Sequence, residues 1–271
     1  MTQHAPALKA NGLTFTYPTA SAPTFCELDL SVPSGAVTAI LGPNGSGKTT
    51  LLHLFLGLLP PSEGTIRLLG KNQSEYSPRA IRQTISLVPQ NEIVPFDLNL
   101  MEYVLLGRAP FLHLLQLPGE RDRKIAENAL QTVGLGTMRR RKVTTLSSGE
   151  KQLSATARAL CQEPEILLMD EPTSHLDLGN QMKILSAIRQ LADTGLTILM
   201  ATHFPDHAFL AASQAAILDR GRITAFGPPD EVLTESILEE TYGTKVRIVT
   251  IENGIHRKIC LPEFDAENQP L

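Results

Sequence analysis

Four short runs rich in apolar residues recur along this chain, and each stops abruptly at a polar group. They are Val37-Thr38-Ala39-Ile40-Leu41 before Gly42, Ile85-Ser86-Leu87-Val88 before Pro89-Gln90, Ile166-Leu167-Leu168-Met169 before Asp170-Glu171, and Leu196 to Thr202 before His203. Apolar runs of this length predict strands covered on both faces. Stretches of helical character separate them: Thr50 to Leu59, Ser147 to Cys161 and Leu178 to Asp193, with Gly57, Pro164 and Gly195 near their ends as stop signals. That alternation predicts an α/β fold, a parallel sheet with right-handed crossovers. Ligands of such sheets collect beyond the carboxyl ends of the strands, where all four runs here carry groups able to meet a phosphate.

The first strand end is the most informative. Gly42-Pro43-Asn44-Gly45-Ser46-Gly47-Lys48-Thr49-Thr50 lies between a buried strand and a helix. Its glycines let the backbone curl so that amides and the helix N-terminus face an anion; Lys48 reaches the terminal phosphates and the Thr49 hydroxyl suits Mg²⁺. This is the phosphate-cradling loop of a nucleotide hydrolase. Adjacent carboxylates at Asp170 and Glu171 need compensating cations or hydrogen bonds. Successive strand residues point in opposite directions, which assigns Asp170 to the metal, through water, and Glu171 to the attacking water. The competing account is a helix N-cap before Pro172. Gln90 can meet a metal and a water through one amide, and His203 can contact a γ-phosphate or be a satisfied core histidine. His203 and His207 also imitate a metal-ligand spacing, although Pro205 disturbs the helix that would present them together.

Composition narrows the class. With 271 residues, 42% of them hydrophobic, the chain can bury the core of one large domain. Its net charge of −4 argues against a nucleic-acid coat, and the basic run Arg139-Arg140-Arg141-Lys142 reads as a solvated helix end. Three scattered cysteines, Cys26, Cys161 and Cys260, suggest neither a disulfide framework nor a metal cluster and fit a reducing, cytosolic setting. The first residues show no basic-then-apolar leader, and no run approaches the roughly 18 apolar residues of a membrane span.

A second anion cradle stands at Leu146-Ser147-Ser148-Gly149-Glu150, a hydroxyl and a glycine at a helix start with Ser147 as N-cap. With it, the chain resembles the ATP-binding cassette (ABC) proteins over nearly its whole length. The motifs follow that family's order: Tyr17, the glycine loop, Gln90, the signature at 146–150, Asp170-Glu171, Ser174-His175-Leu176-Asp177 and His203. The resemblance implies a P-loop NTPase of RecA-like α/β class, with a mainly parallel sheet core, an antiparallel β subdomain and an α-helical signature subdomain.

It further implies ATP and Mg²⁺, and a head-to-tail homodimer in which each ATP lies between the loop of one copy and Ser147, Ser148 and Gly149 of the other. Asp177 would pass along the seam, and Tyr17 would stack on adenine or, alternatively, pack as a core aromatic. Ser148 and Glu150 replace the family's usual glycine and glutamine, and His175 stands where a small residue is common. A positive φ at Ser148 would carry a strain on the order of 1 kcal/mol.

The expected organisation is one ABC ATPase domain over residues 1–245, its helical subdomain at about 95–160, and a short hairpin extension and tail at 246–271. Helices are expected at Asn99 to Gly107 and Glu120 to Val133, joined by the apolar stretch Ala109 to Leu115, which is either a docking surface or a satellite core. Val94-Pro95-Phe96, Glu102-Tyr103-Val104, Gly107-Arg108-Ala109-Pro110 and a tail hairpin turning at Asn253-Gly254 are similar to the ATPases of bacterial importers for ferric siderophores, haem and cobalamin. That resemblance implies integral-membrane permease subunits as partners, a substrate-binding protein indirectly, and a peripheral position on the cytoplasmic side of the inner membrane. A zinc or manganese cargo, or an ABC ATPase that meets no membrane, are the alternatives.

Overall fold

The computed structural model describes residues 6–92, 96–252 and 257–263. The chain runs through β1 (Leu8–Phe15), β2 (Phe25–Val32), β3 (Val37–Leu41), α1 (Lys48–Phe55), β4 (Glu63–Leu68), β5 (Lys71–Asn72), α2 (Pro78–Thr84) and β6 (Ile85–Val88). Then follow α3 (Leu100–Leu105), α4 (Glu120–Thr132), α5 (Ser148–Cys161), β7 (Ile166–Asp170), α6 (Leu178–Asp193), β8 (Thr197–Thr202) and α7 (Pro205–Ala211). Last come β9 (Gln214–Asp219), β10 (Arg222–Gly227), α8 (Pro229–Val232), α9 (Glu235–Tyr242), β11 (Val246–Ile251) and β12 (Arg257–Pro262).

The central sheet has the order β10-β9-β3-β8-β7-β6, parallel from β6 to β9 with β10 antiparallel at one edge. All residues of β3, β7 and β8 are buried, as continuous apolar runs require. Alternate residues serve two cores. Ile40, Leu168, Leu199 and Leu218 pack toward α1 and the antiparallel sheet β2-β1-β4-β5, whereas Leu41, Leu167, Met169 and Met200 pack toward α5, α6 and α7. A third cluster, built on Leu100, Tyr103, Val104, Leu130 and Ala157, holds α3, α4 and the signature helix α5 together. Each fully buried Leu or Ile contributes about 1.5–3 kcal/mol.

Several boundaries differ from expectation. The helix after the glycine loop starts at Lys48, because Gly47 in a left-handed conformation (φ 102°) turns the chain into it. It ends at Phe55, short of Leu59, and Gly57 follows at φ 69°. The expected helix to Gly107 is α-helical only to Leu105 and continues as a 3-10 segment, Leu106–Phe111, which contains Pro110. There Gly107 lies so close to the Arg158 carbonyl that a Cβ would come within 2.2 Å of it. Pro205 does not disturb a helix: it occupies the first position of α7, where its fixed φ is favourable. The tail strands β11 and β12 pair antiparallel as a separate two-stranded sheet. The turn expected at Asn253-Gly254, like Val94 and Pro95, lies outside the described residues.

No helix among the described residues is long and apolar enough to cross a membrane. Beyond the 3-10 segment, Leu114 and Leu115 are 95% and 94% exposed, so this half of the apolar stretch forms no satellite core, and Leu117 just past it is 84% exposed.

Candidate functional site

The parallel register aligns the carboxyl ends of β3, β8, β7 and β6 on one edge. A cleft of about 770 Å³ opens there, lined by Tyr17, Asn44, Gly45, Gly47, Lys48, Thr49, Thr50, Gln90, Glu171 and His203. Two glycines are demanded by space. A Cβ on Gly42 would stand 2.2 Å from the Leu218 carbonyl oxygen, and one on Gly47 would stand 2.8 Å from the Phe25 ring. The Lys48 ammonium folds back over the loop, donating to the carbonyls of Gly42 (2.8 Å) and Pro43 (3.0 Å). Burial lowers its pKa, opposed by the charges of Glu171 and Asp170. Ser46 is buried in the loop floor, its amide donating to the Pro43 carbonyl (3.2 Å) and its hydroxyl unpaired.

Asp170 and Glu171 diverge. Asp170, 6% exposed, accepts the Thr49 hydroxyl on Oδ2 (2.8 Å), while its buried Oδ1 has no hydrogen-bond partner. Burial raises its pKa, and the Thr49 hydroxyl opposes that rise. An orphaned carboxylate oxygen beside a hydroxyl offers oxygen donors suited to a hard divalent cation. Glu171 follows the end of β7 at φ 45°, a left-handed conformation costly for a side chain bearing Cβ. This kink aims its carboxylate into the cleft, where Oε2 accepts from the Gln90 amide (3.0 Å) and Oε1 lies 4.0 Å from Lys48 Nζ. His203 Nδ1 lies 3.1 Å from the same Oε1 but without hydrogen-bond alignment, so the contact is electrostatic proximity and no formed bond.

His207 turns away from this group. Its Nδ1 pairs with the Thr173 hydroxyl at 3.0 Å, and burial pushes its pKa down to about 4. His203 precedes α7 while His207 lies within it, so the two do not share a helix face.

Tyr17 stands at the cleft mouth, its hydroxyl 3.0 Å from Thr50 Oγ1 and its ring edge-to-face with Phe15. The ring thus packs on Phe15 while lining the cleft. Thr24, Ser174, His175 and Phe204 also line the cleft. Thr24 and Phe204 belong to no spacing pattern in the sequence and are brought here by the β1–β2 connection and the β8–α7 turn.

Ser147, Ser148, Gly149 and Asp177 are not part of this cleft. Ser147 caps α5 in a reciprocal box: its oxygen accepts from the Glu150 amide (3.3 Å), and the Glu150 carboxylate accepts from the Ser147 amide (2.8 Å). That amide, with the Ser147 hydroxyl and Arg141, holds Glu150 below the ordinary carboxylate range. The Glu150 replacement thus strengthens the cap. Ser148 is the first helical residue and has no positive φ, so the strain considered for it is absent. Gly149 abuts Asn180, where a Cβ would come within 2.5 Å of the amide carbon. Asp177 caps α6, receiving both the backbone N–H (2.8 Å) and the side-chain amide (3.0 Å) of Asn180.

Comparison with known proteins agrees with this geometry. The profile of the ABC transporter family matches residues 25–174. The chain is 36% identical over 224 residues to a hemin import ATP-binding protein, HmuV, of Thermobifida fusca, covering 83% of this chain and 78% of that one. It is 34% identical over 251 residues to the ferric enterobactin transport ATP-binding protein FepC of Escherichia coli, covering 92% of each. Among solved structures, an inward-facing ABC transporter of metal-chelate type superposes with a TM-score of 0.85 at 30% identity, over 97% of this chain and 100% of that one. CbiO1 of Clostridium perfringens, part of a cbiONQ transporter complex, superposes at 0.76 with 31% identity, covering 87% and 94%. Phosphate loop, paired carboxylates, capped signature helix and these relatives converge: the chain belongs to the ABC transporter family, as an ATP-hydrolysing subunit.

Proposed function

We propose that this protein powers a bacterial importer of iron complexes, ferric siderophore or haem, with cobalamin as the chemically related alternative cargo. It works as a homodimer on the cytoplasmic face of the inner membrane, beneath integral-membrane permease subunits that receive cargo from a substrate-binding protein. The observation that carries the catalytic half is the convergence of Lys48, Glu171, Gln90 and His203 in one cleft. The cargo half is supported by what the relatives serve, hemin import and ferric enterobactin transport.

In this reading the amides of Gly45 to Thr50 and the N-terminus of α1 cradle the phosphates, and Lys48 leaves its two carbonyls for the triphosphate. Tyr17 stacks on the base. Thr49, Gln90 and Asp170 hold Mg²⁺, which supplies neutralisation of phosphate oxygens when bound. Glu171 takes a proton from the attacking water, and His203 and Gln90 orient the reacting group around it. Ser147, Ser148 and Gly149 of one copy meet the nucleotide held by the other, with Asp177 at the seam. ATP binding closes the two copies and hydrolysis reopens them.

The exposed Leu114, Leu115 and Leu117, and a groove of about 270 Å³ lined by Pro89, Glu92, Tyr103, Val143 and Lys151, are the surface offered to the permease. Two measurements test the proposal. Purified protein should release phosphate from Mg-ATP, and membranes holding it with the permease encoded beside it should take up a ferric siderophore or haem only when ATP is present. Absence of phosphate release refutes the enzymatic half, and ATP-driven uptake of free zinc or manganese instead refutes the cargo.

A further inference from the structure

The turn that carries His203 is held from outside the ATPase sheet. On its inner side, Thr202 Oγ1 accepts the Phe204 amide (3.2 Å), and Thr173 Oγ1 meets His207 Nδ1 (3.0 Å). On its outer side the C-terminal segment supplies two further contacts. The Tyr242 phenol donates to the His203 carbonyl (3.4 Å), and the Cys260 amide donates to Asp206 Oδ1 (2.7 Å). Tyr242 ends α9, which Thr234 caps at its start and Gly243, at φ 67°, closes. The hairpin that follows is tied to that helix: the Val246 amide donates to Glu239 (3.2 Å) and the Ile248 amide to Glu235 (2.9 Å). Strand β12 of the same hairpin packs along α7.

The phenol is buried where it meets that turn. Burial pushes its pKa up, and the Gly42 amide nearby pulls the other way. The phenol therefore stays protonated and keeps donating.

We propose that Tyr242 is a positioning residue for the hydrolysis step: with the Cys260 amide, it fixes the turn from His203 to Asp206 so that the imidazole is presented to Glu171. This deepens the proposed function and rests on it. The consequence is specific. The C-terminal segment influences turnover and leaves nucleotide binding alone, since Lys48, Tyr17 and the loop amides do not depend on the turn.

The test uses the full-length protein and phosphate release as a function of ATP. Tyr242→Phe keeps the packed ring and removes one neutral hydrogen bond, so kcat should fall about two- to tenfold with KM unchanged. Asp206→Ala, at the other end of the turn, should lower kcat in the same way. In a His203→Ala background, Tyr242→Phe should cost nothing further, because there is no imidazole left to place. A merely structural tyrosine would lower the unfolding temperature and leave the KM and kcat pattern alone, or add its full factor on top of His203→Ala. Wild-type turnover matched by both Tyr242→Phe and Asp206→Ala overturns this proposal and leaves the ATPase reading intact. A wild-type chain that releases no phosphate overturns the reading beneath it.

Discussion

Glu171→Gln separates binding from chemistry more cleanly than any other substitution in this cleft. Glutamine has the same heavy-atom count and tolerates the φ of 45° no worse than glutamate. Its amide oxygen can still accept from Gln90, now 3.0 Å from Glu171 Oε2, so the cleft keeps its shape. What disappears is the group that can take a proton from water. A positioned general base contributes about 10²–10⁴-fold, or roughly 3–5 kcal/mol of barrier, and kcat should fall by that factor. Affinity should not fall with it. Lys48 is held by the Gly42 and Pro43 carbonyls and only distantly by Glu171, at 4.0 Å. The dissociation constant for ATP should stay within about threefold, under roughly 0.7 kcal/mol. The assay pairs phosphate release with a nucleotide titration and with size-exclusion chromatography in Mg-ATP, where the variant should accumulate as a dimer. Phosphate release within about threefold of wild type would falsify the assignment of Glu171, since no general base is worth so little.

Other outcomes follow from the same geometry. Lys48→Ala removes the cation that crosses the loop and should abolish measurable binding of the triphosphate; an unchanged titration contradicts the site. Gly149→Ala puts a methyl 2.5 Å from the Asn180 side chain, displacing the signature helix start, so ATP should still bind each copy while turnover and ATP-dependent dimerisation fall; normal turnover refutes it. His207 titrates near 4 in the folded chain against an ordinary 6.5, so the unfolded state takes the proton first and stability declines as pH falls between those values, by about 3 kcal/mol in all. His207→Gln should flatten that decline in thermal melts between pH 7 and pH 4, and an identical slope in both proteins sinks the account.

The strands under the cleft were legible because β3, β7 and β8 are buried on both faces and so read as unbroken apolar runs. The antiparallel layer was harder to read for a physical reason. Pairing of β1 with β2 shifts register after Ala10 and again after Leu13, and these irregularities break the period-two alternation that identifies a half-buried strand. The β9–β10 hairpin was similarly hidden, since its turn places Arg220, not asparagine or glycine, at φ 44° ahead of Gly221 at φ 75°. Within the site, Lys48, Glu171 and His203 announced themselves by spacing and strand position. Tyr242 did not: only the folded chain shows that a residue about 40 positions beyond His203 touches its backbone.

The capping box of α5 gives the signature serine a direction. The Ser147 oxygen accepts from the Glu150 amide, and its hydroxyl also helps hold the Glu150 carboxylate. An incoming negative group would therefore have to draw that hydrogen away from Glu150, whose carboxylate the helix amide continues to hold. A phosphate brought by a second copy would thus replace one anion with another at this corner, and would meet no idle donor.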